Sequence, residues 1–256
     1  MDILIDTYRI RLSDHPESFD SSKATIVFLH DSLGSIELWR DFPQKISESI
    51  NCNVLSYDRQ GYGKSDPFSI SKRDQEYLKK EAQVLAKLID HLKLEKVILF
   101  GHSDGGSIAL IAASLYPKKI KGIITEGAHV FVEKETLEGI RNAKMAYETT
   151  SLKNKLKKYH GNKTENVFKM WTETWLSPSF IHWNIENYLP GIQCPSLIIQ
   201  GENDEYGTIN QVSSIIQKTS GISEALIIPD VGHSPHREAA NIVVETTASF
   251  INTLKI

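Results

Sequence analysis

The strand-forming run Lys96-Val97-Ile98-Leu99-Phe100 passes directly into Gly101-His102-Ser103-Asp104-Gly105-Gly106, and the small apolar stretch Ile108 to Leu115 follows. A strand that reverses at once into a buried helix leaves no room for side chains around the turn, which is why glycines must flank it. The pattern Gly-x-Ser-x-Gly in this setting predicts Ser103 at the tip of a tight strand-to-helix turn. The helix should stop before Pro117. Its N-terminus would aim backbone N–H groups at any negative charge that develops beside Ser103.

The rest of the chain supplies the layers such a turn needs. Tyr8 to Leu12 alternates like a strand, and Ala24 to Leu29 is apolar on both faces, as a central parallel strand should be. Trp39, Phe42, Ile46 and Ile50 recur at three- and four-residue intervals and predict one face of a helix. Asn53 to Tyr57 reads as a strand, Asp74 to Leu92 as an amphipathic helix, and Ile120 to Thr125 as another strand. After a Lys-, Glu- and Asn-rich stretch from about 128 to 190 with no convincing strand, the rhythm resumes. Pro195 to Gln200 and Ala225 to Ile228 read as strands, and Ile209 to Lys218 and Glu238 to Leu254 as helices. Alternation of this kind predicts an α/β fold, a mostly parallel central sheet flanked by helices. Residues 1–256 are expected to form a single domain with a helical cap insertion at about 128–190.

Composition narrows the function classes. A formal charge of -3 offers no basic field for nucleic acid or anionic lipid, so neither a nucleic-acid nor a membrane partner is expected. Lys153, Lys155, Lys157 and Lys158 read as a solvated helix face. Cys52 and Cys194 stand far apart, in no disulfide or metal-ligand pattern. Met1 to Asp6 carries acids where a signal peptide needs positive charge, and no apolar run nears the ~20 residues of a membrane span. The expectation is a cytoplasmic protein, monomer or homodimer, with no metal and no cofactor.

A serine hydroxyl is a weak nucleophile at neutral pH and needs an imidazole to take its proton, with a carboxylate to orient that imidazole. Asp204, after the Leu197 to Gln200 strand, and His233, after the Ala225 to Ile228 strand, stand in the required order. Glu202, Glu205 and Glu126 are competing acids. His236 is a competing histidine, read instead as a solvated or capping group beside the closing helix. Acyl transfer also needs donors for the oxyanion, each worth about 3 kcal/mol. The backbone N–H groups of Asp104 and of Ser32, in the loop His30-Asp31-Ser32-Leu33-Gly34-Ser35, are the candidates.

These motifs resemble the α/β-hydrolase superfamily along almost the whole chain: the 30–35 loop, Asp58-Arg59-Gln60-Gly61-Tyr62-Gly63-Lys64-Ser65, the turn at Ser103, the acid and the histidine. His30-Asp31 departs from the His-Gly common at the start of that loop. Ser103-Asp104-Gly105-Gly106, Ile108 to Ala113 and Gln193-Cys194-Pro195 resemble the valacyclovir-hydrolase (biphenyl-hydrolase-like) branch. That resemblance implies a small-molecule ester substrate, an α-amino-acid ester among the candidates, with the acid after the nucleophile facing the substrate's ammonium group.

Asp104 can also be weighed on charge alone. A carboxylate ~5 Å from an oxyanion opposes it by about 3 kcal/mol at an effective dielectric of 20, unless a substrate cation neutralises it. Asp104 is therefore a candidate substrate-binding residue, the alternative being a side chain turned away into its own hydrogen bonds. Glu126 is a second candidate, at the mouth of its strand. Trp171, Trp175 and Trp183 read as fastening the insertion to the core. The expected activity is cleavage of a carboxylic ester through an acyl-enzyme. The alternatives are a lactonase, an amidase or a C–C bond hydrolase on the same residues, or a non-catalytic binding protein on the same scaffold.

Overall fold

The computed structural model describes residues 1–14 and 18–254. In chain order the sheet strands are β1 (Asp2–Ile5), β2 (Tyr8–Leu12), β3 (Thr25–Leu29), β4 (Asn53–Asp58), β5 (Val97–His102), β6 (Ile120–Glu126), β7 (Ser196–Gly201) and β8 (Ser223–Ile228). Between and after them run α1 (Phe42–Ser49), α2 (Tyr77–His91), α3 (Asp104–Leu115), α4 (Lys134–Thr149), α5 (Leu152–His160), α6 (Thr164–Trp175), α7 (Ile209–Lys218), α8 (Pro235–Glu238) and α9 (Ala240–Thr253). The strands form one eight-stranded sheet in the order β1-β2-β4-β3-β5-β6-β7-β8. β1 and β2 pair antiparallel, as do β2 and β4, and every later pair is parallel.

Successive side chains of a strand point to opposite faces, so a strand covered on both sides must be apolar throughout. β3 is buried at every residue: Val27 and Leu29 enter the apolar cluster on one face, Ile26 and Phe28 the cluster on the other. The helical stretch 128–190, expected as the cap, lies mainly over the first of these clusters, where Trp171, Trp175, Phe180 and Trp183 join the residues of the sheet face. Phe180 and Trp183 stack at a centroid distance of 5.3 Å, and Trp175 packs against both at a tilt, 5.0 and 5.3 Å away.

Three differences from the sequence reading have local causes. β1 went unread because it is only four residues long and completes a hairpin with β2. α3 begins at Asp104 rather than Ile108, since the glycines of the turn are already helical. The closing helix is broken at Ala239, with φ -134° and ψ 42°, into the short α8 and the longer α9. Within 128–190 the described residues hold helices and one isolated bridge, Phe131 to Asn184.

β3 and β5 are neighbours, and from them the chain departs toward opposite ends of the sheet. Ligands of open α/β sheets collect at the carboxyl ends of strands at such a switch point. The register pairs Leu29 with Gly101, which sets the 30–35 loop beside the turn at Ser103. Both cysteines are free. Among the described residues, no helix is long and apolar enough to cross a membrane.

Candidate active site

The turn at Ser103 is as tight as its glycines imply. A Cβ on Gly101 would lie 2.2 Å from the Gly105 carbonyl oxygen, and one on Gly105 would lie 1.9 Å from that of Leu29. Ser103 itself has φ 55° and ψ -118°, a conformation that costs a non-glycine residue about 1–3 kcal/mol. Its N–H is held by the Glu126 carbonyl at 2.8 Å. The N–H of Asp104 is the first of α3, where no intrahelical acceptor exists.

His233 follows β8 and reaches across to the loop after β7. Its Nδ1 lies 2.8 Å from both carboxylate oxygens of Asp204. A carboxylate only accepts, so Nδ1 carries the proton and Nε2 is left as a bare base. Asp204 is fixed in turn by the Tyr206 N–H at 2.8 Å and the Gln200 amide at 3.0 Å. Burial works against the carboxylate, yet His233 and the Tyr206 N–H hold its pKa below the ordinary value. Burial likewise works against an imidazolium at His233, but the charges of Asp204, Glu205 and Asp31 outweigh it and raise the pKa.

The main chain of His233 is held as firmly as its ring. Glu205 Oε2 accepts its N–H at 3.2 Å, and His102 Nε2 donates to its carbonyl at 2.7 Å. The neighbouring N–H groups of Gly232 and Ser234 are taken by the Glu238 carboxylate. Sequence reasoning missed Gln200, Glu238 and the His102 contact. Glu205 entered it only as a competing acid, whereas the structure gives it to the backbone of His233.

Ser32 is buried in a loop tied from several directions. Arg59 Nη2 donates to the Asp31 carbonyl at 2.9 Å, the Arg59 N–H to His30 Nε2 at 3.1 Å, and the Gly34 N–H to the Asp31 carbonyl at 3.2 Å. His160, from the cap, donates through Nε2 to the Leu33 carbonyl at 2.9 Å and accepts from the Gly63 N–H at 3.0 Å. The Asp58 to Ser65 stretch braces this loop, because the Asp58 carboxylate accepts the N–H groups of both Ile36 and Lys64.

Ser32, Ser103 and His233 line one cavity of ≈ 190 Å³, together with Asp31, His129, Trp171, Trp175 and Tyr206. Trp171 and Trp175 therefore form its wall as well as fastening the cap. Burial would raise the Asp31 carboxyl, but the basic groups around it, His102 and Arg237 foremost, bring it down to about 2. Among the described residues, no lysine or arginine lines the cavity. Among the described residues, no group of three or more His, Cys, Asp or Glu is placed to hold a metal ion.

The structure does not bring the carboxylates of Asp104 and Glu126 to this cavity, contrary to the expectation that they bind substrate. Asp104 is 1% exposed and turned inward, accepting from the Tyr77 hydroxyl at 3.0 Å and facing Arg59 Nη2 at 3.5 Å. Trp175 Nε1 donates to the same Tyr77 hydroxyl at 2.8 Å, which links the cap to α3. Glu126 is fully buried 2.8 Å from Nδ1 of His236, and burial pushes its carboxyl up to about 8. His236 is correspondingly not solvated: it is buried, with its ring 4.7 Å from Trp39.

Comparison with known proteins agrees with this geometry. The family model described as alpha/beta hydrolase fold matches residues 24–182. The human protein named Serine hydrolase BPHL is 33% identical over 241 residues, covering 89% of this chain and 79% of that protein. A 2-hydroxy-6-oxononadienedioate/2-hydroxy-6-oxononatrienedioate hydrolase of Klebsiella pneumoniae is 25% identical, covering 96% and 91%. Among solved structures, the alpha/beta hydrolase MGS-M2, from a deep-sea metagenome library, superposes with a TM-score of 0.81 at 21% identity over 100% of this chain and 98% of its own.

Proposed function

Because the chain belongs to the α/β-hydrolase family, we propose that it cleaves carboxylic esters through an acyl-enzyme on Ser103. The observation that carries this reading is His233, with Nδ1 spent on both oxygens of Asp204 and Nε2 left free, lining the same cavity as Ser103.

In the proposed cycle, Nε2 of His233 takes the Ser103 proton as Oγ attacks the ester carbonyl carbon. The backbone N–H groups of Ser32 and Asp104 receive the oxyanion. The tetrahedral intermediate collapses by breaking the bond to the alcohol oxygen, which leaves with the proton from His233. Water then gives a proton to His233 and attacks the acyl carbon, and the second collapse returns that proton to Ser103 and frees the acid.

Cleavage of a C–C bond in a dioate, the reaction class named for the Klebsiella relative, is disfavoured here by charge. A doubly anionic substrate would meet the carboxylates of Asp31 and Glu205 with no lysine or arginine among the described residues that line the cavity. Neutral or cationic esters, α-amino-acid esters among them, suit that wall better.

The test is labelling by a fluorophosphonate, which reacts with an activated serine. Labelling of the wild type that vanishes in Ser103→Ala is expected; an unlabelled wild type would favour a binding protein on this scaffold. A panel of aminoacyl, aliphatic and lactone esters then ranks the substrates.

A further inference from the structure

Resting on the ester reading and going beyond it, we propose that His102 is a positioning residue that sets the spacing between Ser103 and His233. The two members of the proposed catalytic pair stand on different parts of the sheet, Ser103 directly after β5 and His233 on the loop after β8. Ser103 Oγ and the His233 ring make no hydrogen bond with each other among the described residues. Their spacing therefore rests on what joins the two backbones.

Glu205, in the loop after β7, and Glu238, in α8, hold the N–H groups of residues 232–234. Both act from the side of the site that carries Asp204, and neither reaches β5. His102 does. It is the last residue of β5, one position before Ser103, and its Nε2 donates to the His233 carbonyl at 2.7 Å. Among the described residues, no other hydrogen bond joins residues 97–115 to residues 229–239.

The ring is built to hold that bond. It is 3% exposed and packs against the rings of His236 and His233 at centroid distances of 4.9 and 5.1 Å. A carbonyl only accepts, so Nε2 carries the ring hydrogen. Burial brings the imidazole down to about 4, so at neutral pH the ring is uncharged and acts through geometry alone. Misplacing reacting groups by about 1 Å costs on the order of 100-fold in rate. One neutral hydrogen bond can therefore matter far more to kcat than to the fold. His102 also lines the cavity, and the effect on KM separates positioning from contact with substrate.

The experiment measures kcat and KM for p-nitrophenyl acetate, and the rate of fluorophosphonate labelling, in the wild type, His102→Phe and His102→Gln. Phenylalanine keeps a ring and removes the donor, whereas glutamine brings an amide N–H close to the Nε2 position. His102→Phe should lower kcat at least tenfold, leave KM within twofold and slow labelling by a similar factor. His102→Gln should recover most of the lost kcat. The acidic limb of kcat/KM should stay in place in both variants, because the ring lends His233 no charge. A kcat in His102→Phe within twofold of the wild type overturns the proposal, as does a loss confined to KM, a limb that moves, or a glutamine variant no faster than the phenylalanine one. If His102→Phe does not fold, His102→Ala replaces it under the same criteria. A wild type that is labelled, with a His102→Phe that reacts just as fast, sinks only this inference; an unlabelled wild type sinks the ester reading itself.

Discussion

Gly127 faces the His233 imidazole so closely that a Cβ on it would lie 2.8 Å from both Nδ1 and Cε1 of the ring. The glycine has φ +54° and stands at the end of β6, one residue after Glu126, whose carbonyl holds the Ser103 N–H. In Gly127→Ala the ring must move off Asp204 or the loop must give way. Misplacing a catalytic group by about 1 Å costs on the order of 100-fold. Steady-state kinetics should show kcat/KM down at least tenfold, with about 1 kcal/mol lost from stability through the positive φ. Wild-type kcat in a folded variant would mean that the loop yields and that Gly127 does not set the position of the His233 ring.

Asp104 is placed to stabilise the fold rather than to read the substrate. Its carboxylate is a close partner of Arg59, which is itself 0% exposed and faces Glu81 only at 3.9 Å. Removing one member of a buried pair typically costs about 3–5 kcal/mol, and Glu81, which remains as a carboxylate partner of Arg59, keeps the expected loss at the lower end. Asp104→Asn keeps an acceptor for Tyr77 but not the charge, so urea denaturation should register a loss of about 3 kcal/mol. The kcat/KM ratio of an aminoacyl ester to its desamino analogue should change less than twofold. A stable variant with an abolished ratio would mean that Asp104 reads the substrate after all.

Glu205 and Asp31 should also mark the pH profile. Burial alone would favour neutral His233, and the carboxylates reverse this and raise its pKa. His233 works as a base only when neutral, so kcat/KM should climb as pH rises through that raised value. Glu205→Gln and Asp31→Asn each remove a charge that favours the imidazolium, and the acidic limb should move to lower pH in each variant. A limb that stays in place in both would show that these charges do not reach Nε2.

Much of this arrangement was legible in sequence because it is local. The turn at Ser103 is written in consecutive glycines, and Asp204 and His233 each follow directly on a strand. The fold class followed from apolar runs such as β3, whose alternate residues feed two cores. Side-chain direction was not legible, since it depends on partners brought in from afar. Asp104 turns inward because Arg59 from the loop after β4 and Tyr77 from α2 converge on it, and Trp175 from the cap holds the Tyr77 hydroxyl in place. His236 sits in a polar run yet is buried, because Trp39 and Phe42 pack on its ring and Glu126 meets it from β6. His129 carried no motif, and only the folded chain sets it in the cavity wall.

Glu126 and His236 give stability a pH dependence of their own. Burial pushes the Glu126 carboxyl up to about 8 and brings the His236 imidazole down to about 3, so at neutral pH the neutral carboxyl donates to the bare Nδ1. In the unfolded chain the carboxyl ionises near pH 4.3. Between these values the folded state holds a proton that the unfolded state has released, so stability falls as pH rises. It is greatest near and below pH 4.3 as far as this group is concerned, and the loss is complete above about 8. Glu126→Gln keeps a donor for His236 and cannot ionise, so it should abolish this slope. Relative to the wild type, its unfolding free energy should rise from pH 5 to pH 8 by on the order of 4 kcal/mol. Urea melts at pH 5, 6.5 and 8 would read the difference directly; a gap that stays constant across that range would mean that Glu126 is already ionised in the folded protein.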